Sequence, residues 1–247
     1  MILTLTPNPS LDRTVSLPGP LQRGAVQRLT GVVMEPGGKG VNVARVLSNA
    51  GRAATAVLPA AENDPILTAL GALELPGLTV RSVPVAGPAR INTAVTEPDG
   101  TTTKLNELGA GLSEEEIDAV EQALLETLTL TGVSAEADTH HWAVLSGSLP
   151  PGAPARWYAR LVGLLREAAP GLRIAVDTSD EPLAALAAEL PASAPDLIKP
   201  NGEELGQLAG LPPERALALE EGALRGDYGP SVDASRPRWA WGPAPPW

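Results

Sequence analysis

A glycine-rich turn with one lysine, Gly37-Gly38-Lys39-Gly40, stands directly before an apolar helical pattern. Glycine lets the backbone approach a ligand closely, and the free N–H groups at the start of a helix present partial positive charge to an anion. Lys39 adds a full charge there, and Asn42, one turn into the helix, could point at the same ligand. The turn therefore predicts an anion site, although turns of this composition are most often only turns.

The spacing in this turn differs from that of two common phosphate-binding loops. A Walker A loop needs G-x-x-x-x-G-K followed by Ser or Thr, whereas Val41 offers no hydroxyl for magnesium. A dinucleotide-binding oxidoreductase is also a poor interpretation, because no G-x-G-x-x-G sequence follows the first predicted strand. Any anion held here would be bound in a different way.

Two further polar side chains, one acidic and one basic, stand beside predicted strands. Asp12 follows a strand and a Pro-Asn-Pro turn, where a carboxylate can accept hydrogen bonds from sugar hydroxyls. A turn-capping aspartate is an equally good interpretation of that residue. Arg90 precedes a second strand pattern and could fork onto a phosphate, although surface arginines are common.

Two loops after buried strands complete the set of candidates. Ser148 lies in a Ser-Gly-Ser loop, which could hold an anion or a sugar, or could be only a tight turn from strand to helix. Lys199, Asn201 and Glu204 follow the last clear strand. An amide oxygen and a carboxylate three residues apart suit a hydrated magnesium ion near nucleotide phosphates. They also suit an ordinary N-cap with first-turn acids.

The charge balance favours a small-molecule ligand. Among 247 residues, 18 lysines and arginines stand against 29 acids, so the formal net charge is −11. Such a balance repels nucleic acids and anionic membranes, so an anionic ligand must be held by a few placed cations. The sequence has no cysteine, which excludes disulfides, thiolate nucleophiles and thiolate metal sites.

The chain carries no pattern of a secreted or membrane protein. Its N-terminus lacks a basic segment followed by a long apolar run, and no apolar run approaches the length of a membrane span. We therefore expect a reduced, cytoplasmic protein without a membrane partner. The adjacent His140 and His141 precede a strand and should point to opposite faces, so we expect solvated edge histidines rather than a shared metal.

Short apolar runs alternate with helical patterns along most of the chain. The predicted strands are Ile2–Thr6, Thr55–Leu58, Trp142–Ser146, Arg173–Asp177 and Asp196–Lys199. One helix should follow an N-cap at Ser113, with Glu116 completing the capping box, and another should follow Pro154 and stop at Pro170. This alternation predicts a mainly parallel sheet covered on both faces.

Two segments, 15–33 and 89–107, do not fit that alternation. Both are rich in Thr, Val and turn residues, and the second contains the hairpin signal EPDG. They could pair with each other as a small separate sheet. The alternatives are two exposed hairpins or a lid over a ligand site at the carboxyl ends of the main strands.

Six motifs in this order resemble the pfkB (ribokinase-like) family of carbohydrate kinases. They are TPNPSLDRTV, GGKGVNVARVL, INTAVTEPDG, LNELGAGLS, SGSLPPG and KPNGEEL. The resemblance covers the chain from Met1 to about Gly210 and is closest to the branch that phosphorylates sugar phosphates. It implies a ribokinase-like three-layer α/β/α domain with a mainly parallel sheet plus a small β-sheet lid, often used for dimerisation.

The resemblance also implies a reaction and a division of the site. The expected reaction is magnesium-assisted transfer of the ATP γ-phosphoryl group to a sugar phosphate. The expected acceptor is fructose 1-phosphate, which would be converted into fructose 1,6-bisphosphate. Tagatose 6-phosphate or fructose 6-phosphate could be the acceptor instead. The residues implied to contact the sugar phosphate are Asp12, Gly37, Gly38, Lys39, Asn42, Arg90 and Ser148. Lys199, Asn201 and Glu204 would lie on the ATP side, with Asn201 and Glu204 near Mg²⁺ through water.

The C-terminal part departs from the family pattern. The family places its catalytic aspartate in a late Gly-Ala-Gly-Asp motif, which this sequence lacks, so the catalytic residue stays unassigned. We expect residues 1–225 to form the kinase-like domain, with lid strands from about 12–33 and 89–107. Residues 226–247, rich in Pro and Trp, are not expected to be family sequence or folded α/β structure.

A frameshift or truncation near Arg225, or a natural extension packing on the lid or a partner, would explain them. A truncated or impaired protein that only binds sugar phosphate is the alternative function.

Overall fold

Two β-sheets and eight helices make up the part of the chain that the computed structural model describes, residues 1–130 and 141–235. The strands are β1 (Ile2–Leu5), β2 (Ser10–Ser16), β3 (Gly31–Gly37), β4 (Ala54–Ala60), β5 (Leu78–Pro84), β6 (Arg90–Thr96), β7 (Thr102–Asn106), β8 (Trp142–Ser146), β9 (Arg173–Asp177) and β10 (Leu197–Ile198). The helices are α1 (Lys39–Asn49), α2 (Pro65–Ala72), α3 (Glu114–Leu130), α4 (Trp157–Ala168), α5 (Asp180–Ala188), α6 (Gly202–Leu208), α7 (Pro213–Leu224) and α8 (Gly229–Ser235).

The large sheet has the strand order β10-β9-β8-β1-β4-β5, and all of its neighbouring strands are parallel. Side chains alternate between its faces. Leu3 and Leu5 belong to a buried cluster with residues of α3 and α4. On the other face, Ala56 and Leu58 pack with residues of α1 and α2. The predicted parallel sheet with helices on both faces is confirmed.

The four remaining strands form a small sheet in the order β3-β2-β6-β7. Strands β2 and β3 are antiparallel, β6 and β7 are antiparallel, and β2 and β6 join the two pairs in parallel. The two non-alternating segments therefore do pair with each other, although β2 begins earlier, at Ser10. The turn after Glu97 uses Gly100 with φ 91°, as the hairpin signal predicted.

The predicted local signals agree with the structure in several places. Before α3, the Ser113 side chain accepts a hydrogen bond from the Glu116 amide, and the Glu116 carboxylate accepts one from the Ser113 amide. Helix α4 ends at Ala168, two residues before Pro170. Strand β5 was not predicted from the sequence. It is an edge strand of the large sheet with mostly exposed side chains, so it lacks the apolar run that marks the inner strands.

The segment after Gly226 differs from expectation. We expected no folded α/β structure there, but residues 229–235 form α8, which contacts α6 and α7. Pro230 lies in the first turn, where proline is tolerated because its missing N–H would have no helical partner. None of the α8 residues is buried, so its packing is superficial. The tail residues 236–247 lie outside the described part of the chain.

Two further expectations concern histidines and membrane spans. His141 is half-buried and its Nδ1 lies 2.9 Å from the amino group of Met1, so it is less solvated than expected. His140 lies outside the described residues. Within the described ranges, no helix combines the length and apolar character needed to cross a membrane.

Candidate functional site

The Gly-Gly-Lys turn forms the start of α1, as predicted. Gly38 is the N-cap with φ 100°, a conformation that side-chain-bearing residues rarely adopt. A Cβ on Gly40 would lie 2.5 Å from Thr6 Oγ1 and 2.7 Å from the Leu5 carbonyl oxygen. Glycine at this position therefore lets the first turn of α1 lie directly against the end of β1.

Lys39 reaches a carboxylate that the sequence did not identify as part of the site. Its Nζ lies 2.9 Å from Asp177 Oδ1, at the end of β9, and Lys199 Nζ lies 3.8 Å from Asp177 Oδ2. The Asp177 side chain is 17% exposed, against 47% for Lys39 and 72% for Lys199. Asp177 thus connects the predicted sugar-phosphate lysine with the predicted nucleotide lysine.

Asp12 lies at the centre of the small sheet, beside the Gly-Gly turn. It is in register with Glu35 on β3 and with Asn92 on β6. Its Oδ1 accepts hydrogen bonds from Ser10 Oγ at 2.8 Å and from Asn92 Nδ2 at 3.1 Å. A Cβ on Gly37 would collide with both carboxylate oxygens of Asp12, at 2.2 Å from Oδ2 and 2.8 Å from Oδ1, so the carboxylate lies against the turn that leads into α1.

Arg90 begins β6 on the same face of the small sheet as Asp12. Burial lowers the pKa of its guanidinium, and the nearby charge of Asp12 partly offsets this effect. Arginine nevertheless stays protonated in proteins. Its Nη1 donates to the Glu107 carbonyl oxygen at 3.3 Å. The buried Nε has no hydrogen-bond partner among the described residues, which leaves a cation with an unused donor at this face.

Asn42 and Ser148 make hydrogen bonds to other parts of the protein. Asn42 Oδ1 accepts a hydrogen bond from Arg45 Nη1 at 3.4 Å. Ser148 is exposed, and its Oγ accepts one from Asn8 Nδ2, also at 3.4 Å. Asn8 Nδ2 also donates to the Leu108 carbonyl oxygen at 3.0 Å. The Ser-Gly-Ser loop is therefore tied to the turn that follows β1.

Asn201 and Glu204 form a capping box at the start of α6. Asn201 Oδ1 accepts a hydrogen bond from the Glu204 amide and Glu204 Oε2 accepts one from the Asn201 amide, both at 2.8 Å. The N-cap interpretation of this pair is confirmed. One oxygen of each side chain is used in the cap, so a magnesium ion would meet chiefly the second Glu204 oxygen, through water. Across residues 1–130 and 141–235, no group of three or more His, Asp or Glu side chains could hold a metal.

Eight of the ten candidates thus fall into three groups, and Asn42 and Ser148 belong to none of them. Asp12, Arg90 and the Gly37-Gly38 turn come together at the small sheet, Lys39 and Lys199 meet at Asp177, and Asn201 pairs with Glu204. Sequence reasoning missed Asp177 and Asn92. Asp177 did carry a signal, because it ends a predicted strand at the same edge of the parallel sheet as the loops with Ser148 and Lys199.

Comparison with known proteins identifies the family of the chain. Residues 8–224 match the family described as pfkB family carbohydrate kinase. The chain belongs to the pfkB family of carbohydrate kinases. The match includes β2, the Gly-Gly-Lys turn, β6, Asp177 and α6, so all the candidate residues lie inside the pfkB region.

Two kinds of pfkB relatives are similar over most of the chain. A 1-phosphofructokinase of Rhodobacter capsulatus is 36% identical over 208 residues, which cover 83% of this chain and 60% of that protein. Phosphofructokinase-2 from Escherichia coli in complex with fructose-6-phosphate is 29% identical with a TM-score of 0.73, covering 94% of this chain and 70% of that one. Its tetrameric inhibited form has a TM-score of 0.72 at 30% identity, covering 92% and 70%. The chain spans about three fifths of the length of the curated relatives it matches.

Proposed function

We propose that the protein is an ATP-dependent kinase of a sugar phosphate, with fructose 1-phosphate as the acceptor and fructose 1,6-bisphosphate as the product. The proposal is supported chiefly by the proximity of Asp12 to Arg90 and to Gly37, in the turn that leads to Lys39. The named 1-phosphofructokinase relative, which is 36% identical, favours this acceptor. A cytoplasmic location is part of the same proposal.

The sugar-phosphate end of the site has the right chemistry for its ligand. Asp12 supplies a carboxylate that can accept hydrogen bonds from sugar hydroxyls. Arg90 and Lys39 supply two cations in a chain whose net charge is −11, so the phosphate is held locally and not by a general field. Gly38 brings the first backbone N–H groups of α1 towards the same anion.

The ATP end is assigned to Lys199 and the start of α6. Lys199 can neutralise a nucleotide phosphate, and Glu204 can accept a hydrogen bond from water bound to Mg²⁺. In phosphoryl transfer, magnesium and placed cations neutralise the charge that develops on the transferred group. The chain's own contribution would be to position the acceptor and the phosphates in line.

A second candidate function is binding of a sugar phosphate without transfer. It is favoured by one observation, that the Gly-Ala-Gly-Asp motif expected to carry the catalytic aspartate does not occur in the sequence. A kinase site without its positioned acid or base should lose several orders of magnitude in rate. Ligand affinity would be retained, because Asp12, Lys39 and Arg90 are all present.

We also propose that two copies associate through the small sheet. Its face opposite Asp12 carries Val32, Met34 and Leu105, which are 50%, 49% and 59% exposed. Burying such side chains between two copies is favourable at about 25 cal/mol per Å² of apolar surface. Sedimentation of the wild type and of Met34→Glu, at equal concentrations, tests this, and identical monomeric behaviour of both would refute it.

The deciding experiment measures ADP release by the purified chain with ATP, Mg²⁺ and fructose 1-phosphate, beside calorimetric binding of fructose 1-phosphate alone. Fructose 6-phosphate and tagatose 6-phosphate serve as alternative acceptors. Turnover highest with fructose 1-phosphate supports the kinase, and binding without turnover supports the second candidate. Absence of both turnover and binding would contradict both functions.

A further inference from the structure

The two oxygens of the Asp12 carboxylate have different surroundings. Oδ1 accepts two hydrogen bonds, from Ser10 Oγ at 2.8 Å and Asn92 Nδ2 at 3.1 Å. Among the described residues, no hydrogen bond reaches Oδ2. Both oxygens lie against Gly37, where a Cβ would come within 2.2 Å of Oδ2 and 2.8 Å of Oδ1. One oxygen is therefore fixed by hydrogen bonds of the protein, and the other keeps its acceptor capacity.

Ser10 and Asn92 hold Oδ1 from two sides. Ser10 precedes Asp12 by two residues on β2, and Asn92 is its register partner on the neighbouring strand β6. Ser10 is fully buried, so its hydroxyl has few other partners to choose from. Together the two donors restrict the rotation of the carboxylate, because turning it would break both hydrogen bonds to a charged group.

Asn92 also carries an unsatisfied atom. Its Oδ1 is buried and has no hydrogen-bond partner among the described residues, and the same is true of Arg90 Nε two residues earlier on the same face. Unpaired buried polar groups are rare and costly, so each needs an explanation. The amide is oriented by its donation to Asp12, and reversing it would place its oxygen against the carboxylate. Asn92 Oδ1 therefore stays without a partner while Asn92 Nδ2 donates to Asp12.

We propose that Asn92, assisted by Ser10, is a positioning residue for the sugar, which fixes the Asp12 carboxylate so that Oδ2 accepts a hydrogen bond from a sugar hydroxyl. Gly37 contributes as well, since only a residue without Cβ leaves room for the Asp12 carboxylate in this position. The inference rests on the proposed sugar-phosphate function. It adds that Asn92, a residue of β6, determines which sugar hydroxyl Asp12 can bind.

The charges that face Asp12 belong to two other residues. Arg90 attracts it from β6. Glu35 is its register partner on β3, but the Glu35 carboxylate is held by Arg45 Nη2 at 3.0 Å. Asn92 on β6 donates to Asp12 without carrying a charge. Replacing its amide by a carboxyl group would place two acidic side chains next to each other.

The test uses two variants of the full chain, Asn92→Leu and Asn92→Asp, with Thr93→Val as a control on the opposite face of β6. Affinity for fructose 1-phosphate is measured by calorimetry between pH 5 and pH 8, and near-ultraviolet circular dichroism checks the fold. Asn92→Leu should weaken binding about 10- to 100-fold at every pH, because it removes a hydrogen bond to a charged group. Thr93→Val should bind like the wild type.

Asn92→Asp should behave differently because two adjacent carboxylates cannot both ionise easily. At low pH the new carboxyl group keeps its proton and can donate to Asp12 Oδ1, so affinity relative to the wild type should recover as the pH falls. The affinity of Asn92→Asp at each pH is divided by the wild-type affinity at the same pH. This ratio cancels the pH dependence that comes from the ligand's own phosphate. A merely structural role for Asn92 would leave this ratio constant.

The outcomes separate the positioning role from the proposed function. Wild-type binding with unchanged affinity in Asn92→Leu, or with a pH-independent ratio for Asn92→Asp, would overturn the positioning role alone. No binding of fructose 1-phosphate by the folded wild type would overturn the proposed function, and the positioning role with it. If Asn92→Leu fails to fold, the polar Asn92→Asp variant decides the matter by its pH ratio.

Discussion

Lys39 Nζ lies 2.9 Å from Asp177 Oδ1, although 138 residues separate them in the chain. The first residue of α1 is thereby connected to the last residue of β9, two strands away from β1 in the large sheet. The lysine that we assign to the sugar phosphate is therefore already oriented by a carboxylate of the protein. An anionic ligand would find its cation in place and would not have to order a free side chain.

Removing the Lys39 charge should weaken the binding of sugar phosphate. Lys39→Ala is expected to cost about 1.5–3 kcal/mol of binding free energy for fructose 1-phosphate, the usual value of a hydrogen bond to a charged group. Calorimetry at constant ionic strength measures the change. Arg52→Ala is the matched control, because it removes one exposed cation just beyond the other end of α1. Equal losses in both variants would mean that only net charge matters.

Arg90 should be needed for the shape of its guanidinium as well as for its charge. Arg90→Ala is expected to weaken fructose 1-phosphate binding by about 1.5–3 kcal/mol. Arg90→Lys should restore only part of this, because an ammonium group cannot fork onto a phosphate. Arg13→Ala removes a cation from the opposite face of the neighbouring strand and should leave affinity unchanged. Full affinity of Arg90→Ala would refute its assignment to the phosphate.

Glu121 should make the free energy of unfolding depend on pH. Burial raises the pKa of its carboxyl group, and hydrogen bonding by Trp157 Nε1, at 2.8 Å, and the charge of Arg160 partly oppose this. A raised pKa means that the folded protein holds the proton more tightly than the unfolded chain does. The stabilisation is therefore complete below the ordinary value of 4.5 and is lost as the pH rises through the folded value.

Two variants of Glu121 separate its charge from its hydrogen bond. Glu121→Gln removes the titration and keeps an acceptor for Trp157, so its stability relative to the wild type should increase as the pH rises above about 4.5. Glu121→Leu leaves the buried indole N–H unpaired and should cost about 1–3 kcal/mol at neutral pH. Denaturant unfolding at several pH values measures both. A pH-independent difference between Glu121→Gln and the wild type would contradict the linkage.

Gly40 should tolerate no side chain, unlike a second helical glycine. Gly40→Ala places a Cβ 2.5 Å from Thr6 Oγ1 and should destabilise the fold by about 1–3 kcal/mol through overpacking. Gly163, on the exposed side of α4, has no atom within 4 Å of such a Cβ. Gly163→Ala should therefore stabilise by about 0.5–1 kcal/mol through helix propensity. Thermal unfolding of both compares them, and a neutral Gly40→Ala would mean that α1 can move off β1.

The sequence predicted the inner strands and the helix caps because their signals are local. Strands β8 and β9 have the predicted bounds, and the Ser113–Glu116 capping box forms as expected. Edge strand β5 was not predicted, because most of its side chains are exposed and it lacks a continuous apolar run. The helix at 229–235 was not predicted either, because it has only seven residues, includes Gly and Pro, and shows no helical apolar periodicity.

The candidate site was predictable only in part, for a different physical reason. Asp12, Lys39 and Arg90 could be chosen from residue type and position at the ends of elements. The contacts of Lys39 with Asp177 and of Asp12 with Asn92 depend on sheet order and register between strands far apart in the chain. A slip of one residue between β2 and β6 would turn Asn92 to the other face. Such pairings are not encoded in any local pattern.

The parallel pairing of β2 with β6 also constrains the order of folding. Asp12 and Asn92 are 80 residues apart, and the chain between them forms β3, α1, β4, α2 and β5. Non-local contacts of this kind form slowly, since the entropy of closing a long loop must be overcome before the contact forms. We therefore expect the carboxylate and the amide to meet late during folding, after the intervening strands and helices have formed. A nascent chain that has not yet reached β6 has the glycine turn but lacks the strand that orients Asp12.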